Sequence, residues 1–140
     1  MITAVDSNVL LDVLGADPTF GPASANALRT ALREGQLLAC EAVWAEVAGS
    51  FASAAAAQNA LELLHLEFSA LSVEASLAAG IAWKAYQARG GLKTRVAADF
   101  LIGAHAYSQA DRLLTRDRGF YRSCFKRLVV LDPTRAHHGS

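Results

Sequence analysis

The chain has 140 residues, 53% of them apolar and 19% charged, with a formal net charge of zero. That length suits one domain with a real core, and that composition excludes a disordered chain. No apolar run approaches the roughly 20 residues that cross a bilayer, and no basic leader precedes the first strand-like segment, so a cytoplasmic location is expected.

The first element is a short strand over 2–5, stopped by Asp6-Ser7-Asn8. Val9, Leu10, Leu11, Val13 and Leu14 then give a helical apolar face that ends at Gly15. Two prolines and Gly21 mark 17–22 as a loop. Ala25, Leu28, Ala31 and Leu32 are spaced for a helix over 23–34, with Gly35 as its stop. A strand over 36–40 follows, then a helix over 42–51 and an alanine-rich helix over 52–64. The segment 66–71 reads as a third strand.

A long helix is expected from Ser72-Val73-Glu74 to about residue 89, then a basic loop over 89–95 holding two glycines. A nearly all-apolar helix follows over 96–109. Strands over 112–115 and 128–131 flank a short helix over 119–125. Residues 1–133 are expected to form the one domain, with 134–140 a frayed tail. Cys40 and Cys124 have no metal-ligand spacing and are expected to be free thiols.

Strands alternating with helices predict an α/β fold with a parallel sheet. Ligands of such sheets bind beyond the carboxyl ends of the strands. Asp6 follows the first strand and Asp117 the fourth, so both point to one edge. Glu46 and Asp99 lie in helical segments near strand ends, and an α/β fold would bring such positions together. Four clustered carboxylates repel one another, and their oxygens suit a hard divalent cation such as Mg²⁺ or Mn²⁺. A metal-dependent hydrolase of phosphodiesters is the first reading.

Each acid also has a plainer reading. Asp6 could be a helix cap, Glu46 a solvated side chain, and Asp117 a turn residue capping the next helix. Asp99 sits in Val96-Ala97-Ala98-Asp99-Phe100-Leu101-Ile102, where a charge is costly unless paired or bound to metal. Ser7, Asn8 and Thr115 could orient the carboxylates. Asp12 reads as a surface or helix-end residue, Glu41 as a helix-terminal acid and His105 as structural.

Zero net charge conceals an asymmetry. Residues 1–83 hold nine acids and two bases, and residues 84–140 hold four acids and eleven bases. A basic surface beside an acidic centre would hold a phosphate backbone against a metal. Alternatively, the basic half is a solvated face or pairs with the acidic half. Lys93, Arg95, Arg116 and Arg118 are the candidate phosphate contacts.

Asp6-Ser7-Asn8, Glu46, Ala98-Asp99-Phe100-Leu101-Ile102 and Leu114-Thr115-Arg116-Asp117, in this order, resemble the signature of the PIN-domain family. The compact size and the Asp99 helix resemble its VapC-type toxins. The likeness spans about residues 1–133; Ser7 stands where Thr is frequent and keeps the hydroxyl. The resemblance implies a three-layer fold with a five-stranded parallel sheet flanked by helices. It implies a Mg²⁺- or Mn²⁺-dependent endoribonuclease that uses Asp6, Glu46, Asp99 and Asp117. It further implies a homodimer and a cognate antitoxin whose C-terminal segment blocks the site.

Two other classes compete. A phospho-acceptor receiver domain wants an acidic pair after the first strand and a Lys after the last, and neither is present. A PIN fold that cuts DNA, or one that only binds nucleic acid or protein, shares the fold; the presence of all four acids speaks against inactivity. The alanine-rich 52–64 helix and the apolar 9–14 segment are expected to offer surface to a partner.

Overall fold

The computed structural model describes residues 1–91 and 97–135. Lys93, Arg95 and the 134–140 tail beyond Arg135 therefore lie outside the described residues, as does the start of the 96–109 helix.

Twelve elements alternate along the described chain. They are β1 (Ile2–Val5), α1 (Ser7–Leu14), α2 (Gly21–Glu34), β2 (Gln36–Ala39), α3 (Glu41–Ala48), α4 (Ala54–Leu63) and β3 (Leu66–Phe68). Then come α5 (Val73–Ala88), α6 (Ala97–Gln109), β4 (Arg112–Leu114), α7 (Arg118–Cys124) and β5 (Val130–Leu131). The strands form one sheet in the order β3-β2-β1-β4-β5, all parallel. The expected α/β class and five-stranded parallel sheet are both found.

The strands are short and mostly buried. Thr3, Ala4 and Val5 of β1, Leu37 to Ala39 of β2, and Leu113 and Leu114 of β4 are shielded from solvent, as a sheet covered on both faces requires. Val9, Leu10, Val43, Val47, Leu61, Phe100 and Ile102 pack into the same core. Each such side chain contributes about 1.5–3 kcal/mol by leaving water. Gly35 must be glycine because a Cβ there would collide with the Met1 backbone, where α2 closes into β2.

The expected strand over 66–71 ends at Phe68, and that over 128–131 keeps only Val130–Leu131 in the sheet. Both are edge strands, where pairing on one side alone lets the ends peel away. The 9–14 segment is less of a partner surface than its sequence suggests. Val9 and Leu10 are fully buried, leaving Leu11 36% exposed.

The largest exposed apolar row is instead on α5. Val73, Leu77 and Ile81 lie one turn apart, 78%, 65% and 72% exposed, while Ala75 and Ala79 turn inward. Small inward side chains let α5 lie close against α6, its main packing partner. Both cysteines are free thiols, Cys40 buried and Cys124 half-buried. Among the described residues, no helix is long and apolar enough to cross a membrane.

Candidate metal and nuclease site

The chain runs from β1 outward through β2 to β3, then returns to place β4 on the other side of β1. The sequence of connections therefore reverses between β1 and β4. A crevice opens at the carboxyl ends of two neighbouring strands at such a switch point. Asp6 leaves β1 there, and Thr115-Arg116-Asp117 leaves β4. The Asp6 N–H still bonds the Leu114 carbonyl at 3.0 Å, so the two exits stay in register.

Asp6 caps α1 and also belongs to a buried polar cluster. Its Oδ1 accepts the Ser7 N–H at 2.7 Å, and its Oδ2 accepts the Thr115 hydroxyl at 2.7 Å. Asn8 Nδ2 reaches both Asp6 Oδ2 and Thr115 Oγ1 at 3.4 Å. Burial pushes the Asp6 carboxyl up to about 6, with the Asp99 charge adding to it, against the lowering effect of the Thr115 and Ser7 bonds and of the nearby Tyr121 hydroxyl. Asp6 is 5% exposed and feels the Asp99 charge, a penalty that a bound cation would reverse.

Glu46 reaches the same edge from α3. The Ser7 hydroxyl donates to Glu46 Oε1 at 3.0 Å, so one serine links the β1 exit to α3. Its competitor Glu41 opens α3 and accepts the Leu71 N–H at 2.9 Å. Asp117 occupies the position before α7, yet its carboxylate makes no capping bond. Its N–H donates to Thr115 Oγ1 at 3.0 Å, which ties it to the atom that holds Asp6. Asp99 lies in the first turn of α6, half-buried, and its charge acts on Asp6.

Thr115, Ser7 and Asn8 thus all hydrogen-bond the Asp6 carboxylate. His105 is 1% exposed, bonds Ser69 Oγ at 3.0 Å, and has its pKa lowered by burial.

Two sequence readings need correction. Asp12 is not a surface residue; it is 5% exposed and accepts Ser24 Oγ at 2.8 Å. Arg116 is not held out as a free cation for phosphate. It forks onto Asp12, with Nε to Oδ2 at 2.7 Å and Nη2 to Oδ1 at 3.0 Å, and lies 4.0 Å over the Phe20 ring. Arg112 likewise bonds Glu34. Both pairs join the basic half of the chain to the acidic half, as the alternative reading of the charge asymmetry expected. Arg118 opens α7 directly after Asp117.

One group at the site was not singled out from the sequence. Tyr121 of α7 is 1% exposed, and its hydroxyl has no hydrogen-bond partner among the described residues. The Asp6, Asp99 and Asp117 charges all act on it, and the hydroxyl lies near Asp6 without reaching hydrogen-bond geometry. An unpartnered buried hydroxyl costs about 1–3 kcal/mol.

The donor chemistry fits a hard divalent cation: carboxylate oxygens supported by hydroxyls and an amide, with a buried hydroxyl lacking a partner among them. Among the described residues, no three His, Cys, Asp or Glu side chains converge closely enough to hold an ion by themselves. Mg²⁺ characteristically keeps several waters and takes only one or two carboxylates directly.

A parallel α/β sheet with an acidic crevice at its switch point defines the class: a doubly wound protein with an oxygen-lined polar site. The PIN domain family model matches residues 3–126, and the chain belongs to that family.

Three solved structures share the fold. One is VapBC2 from Rickettsia felis bound to a DNA fragment from their promoter, at 19% identity, TM-score 0.75, covering 94% of this chain and 98% of that one. Another is VapBC-1 from nontypeable Haemophilus influenzae, at 19% identity, TM-score 0.74, covering 96% and 100%. The third is a toxin–antitoxin complex from Klebsiella pneumoniae, at 18% identity, TM-score 0.65, covering 96% and 99%. No curated protein matches the chain.

Proposed function

We propose that this PIN-domain protein is a metal-dependent endoribonuclease and the VapC-type toxin of a toxin–antitoxin pair. The observation that carries the reading is the Asp6 carboxylate, buried at the β1–β4 switch point and bonded to Thr115 at 2.7 Å, while Ser7 draws Glu46 to the same edge.

Asp6, Asp99 and Asp117 would hold Mg²⁺ or Mn²⁺, with Glu46 completing the pocket. The cation supplies an activated water and stabilises charge developing on the phosphate. The protein side chains prepare for this. Thr115 and the Ser7 N–H fix the two oxygens of Asp6, Asn8 braces Thr115, and Thr115 in turn holds the Asp117 backbone. Arg118, beside Asp117, is the remaining described candidate for a phosphate contact.

A partner fits this reading. The similar solved structures are VapBC or toxin–antitoxin complexes, and an active ribonuclease needs restraint in the cytoplasm where its substrate lies. An antitoxin that placed an Arg among the acids would satisfy them with bidentate bonds and exclude the cation. The Val73-Leu77-Ile81 row supports a homodimer through α5.

One observation favours a second reading, a non-catalytic binding module of the same fold: no three acids converge among the described residues. Expression in a bacterial host separates the two. Wild type is expected to arrest growth, and Asp6→Asn to relieve the arrest at equal protein level. Equal toxicity, or none from either, contradicts the enzyme reading.

A further inference from the structure

Tyr121 presents a problem that the metal-free protein leaves unsolved. Its ring is fixed in the core, edge-on to Phe120 with centroids 5.1 Å apart, and its N–H is bonded to the Asp117 carbonyl at 3.4 Å. The side chain is 1% exposed, so solvent does not serve the hydroxyl. Tyr121 Oη and Trp44 Nε1 are the buried side-chain polar atoms left without a partner among the described residues. Trp44 packs against Phe68 at the far edge strand, whereas Tyr121 adjoins the acids.

Buried polar groups in native proteins nearly always have partners, and an exception points to something missing. A phenylalanine would fill the same space without an oxygen to satisfy. In the metal-free fold the hydroxyl has only a weak interaction with Asp6, short of hydrogen-bond geometry. Burial and the charges of Asp6, Asp99 and Asp117 raise its pKa, so it remains a neutral donor near Asp6.

We propose that Tyr121 is a positioning residue of the acidic site, whose hydroxyl donates to the Asp6 carboxylate once a divalent cation occupies the pocket. This rests on the metal reading above and adds a residue to it. Asp6 already takes bonds from Ser7, Asn8 and Thr115, which all approach from the β1 and β4 exits. Tyr121 comes from α7, a separate element, and adds a bond from there. The carboxylate orientation is then fixed from both sides of the crevice. Outer partners of this kind typically change metal affinity by about 10–100-fold.

The test compares wild type with Tyr121→Phe by Mn²⁺ titration calorimetry and by tyrosine ultraviolet difference spectra on adding Mn²⁺. Without metal, Tyr121→Phe is expected to melt at or above the wild-type temperature. It is expected to bind Mn²⁺ roughly tenfold more weakly, and to lose a metal-induced tyrosine signal that wild type shows. Equal Mn²⁺ affinity in the two proteins overturns the role of Tyr121 and leaves the metal site standing. Failure of Tyr121→Phe to fold also overturns it, since a hydroxyl awaiting a cation cannot be what holds the metal-free fold. A wild-type chain that takes up no Mn²⁺ overturns the metal reading and this inference together.

Discussion

Arg116 lies beside the candidate catalytic Asp117, yet its guanidinium is locked onto Asp12, a buried carboxylate 104 residues earlier. The pair ties the β4 exit to α1 and, through Ser24 and Phe20, to the start of α2. It holds the loop that carries Asp117.

Arg116→Met is therefore expected to act on stability. Removing one partner leaves Asp12 buried and unpaired, at a cost near the lower end of roughly 3–5 kcal/mol because Arg116 is partly solvated. The double change Asp12→Leu with Arg116→Met should recover part of that loss in urea denaturation. Arg118→Gln should leave stability alone and lower the salt slope of RNA binding by about one. An unchanged denaturation midpoint for Arg116→Met, or an unchanged slope for Arg118→Gln, contradicts this division of roles.

Thr115→Val removes the strongest side-chain donor to Asp6. A hydrogen bond to a charged group is worth about 1.5–3 kcal/mol, and its loss should appear as that much stability near neutral pH. Mn²⁺ affinity should fall about tenfold as Asp6 loses its orientation. Wild-type affinity in Thr115→Val would mean that the Asp6 carboxylate is positioned by its other contacts.

His105 gives a pH signature away from the acidic crevice. Burial lowers its folded pKa, opposed by the charge of Glu41 and a contact with Ser69. Above the unfolded value of about 6.5, neither state is protonated and the group exerts no effect. As pH falls below that value, the unfolded chain binds the proton first and stability declines until the folded pKa is passed. The stability difference between wild type and His105→Gln should be flat above pH 7 and shift in favour of the variant at lower pH. A difference constant from pH 7 to pH 5 contradicts the shift.

The α5 row predicts self-association. Leu77→Glu and Ile81→Glu sit at exposed positions and should leave the melting of the monomer nearly unchanged, within about 0.5 kcal/mol. Sedimentation should show a wild-type dimer converted to monomer. A wild-type chain that stays monomeric at high concentration removes the assignment.

Most of the fold was legible because its signals are local. Apolar runs bounded by Gly, Pro and Asp marked β1, α2 and β2 within a residue or two, and the lone acid in an apolar helix marked Asp99. The order of acids along the chain carried the family resemblance. What was hidden depends on distance. Asp12 looks like a surface acid until Arg116 arrives from β4. Tyr121 is an ordinary aromatic in a short helix until the fold buries its hydroxyl near Asp6. In α5, Val73, Leu77 and Ile81 have core-like spacing, but the smaller Ala75 and Ala79 won the inward face because α6 approaches closely.

The most direct measurement is whether the acidic site cuts RNA with a divalent cation. Purified wild type and Asp99→Asn should be incubated with single-stranded RNA in excess EDTA, then with Mg²⁺ or Mn²⁺ restored. The account predicts cleavage by wild type only, and only with the cation present. Cleavage in excess chelator, or an equal rate for Asp99→Asn, would contradict it.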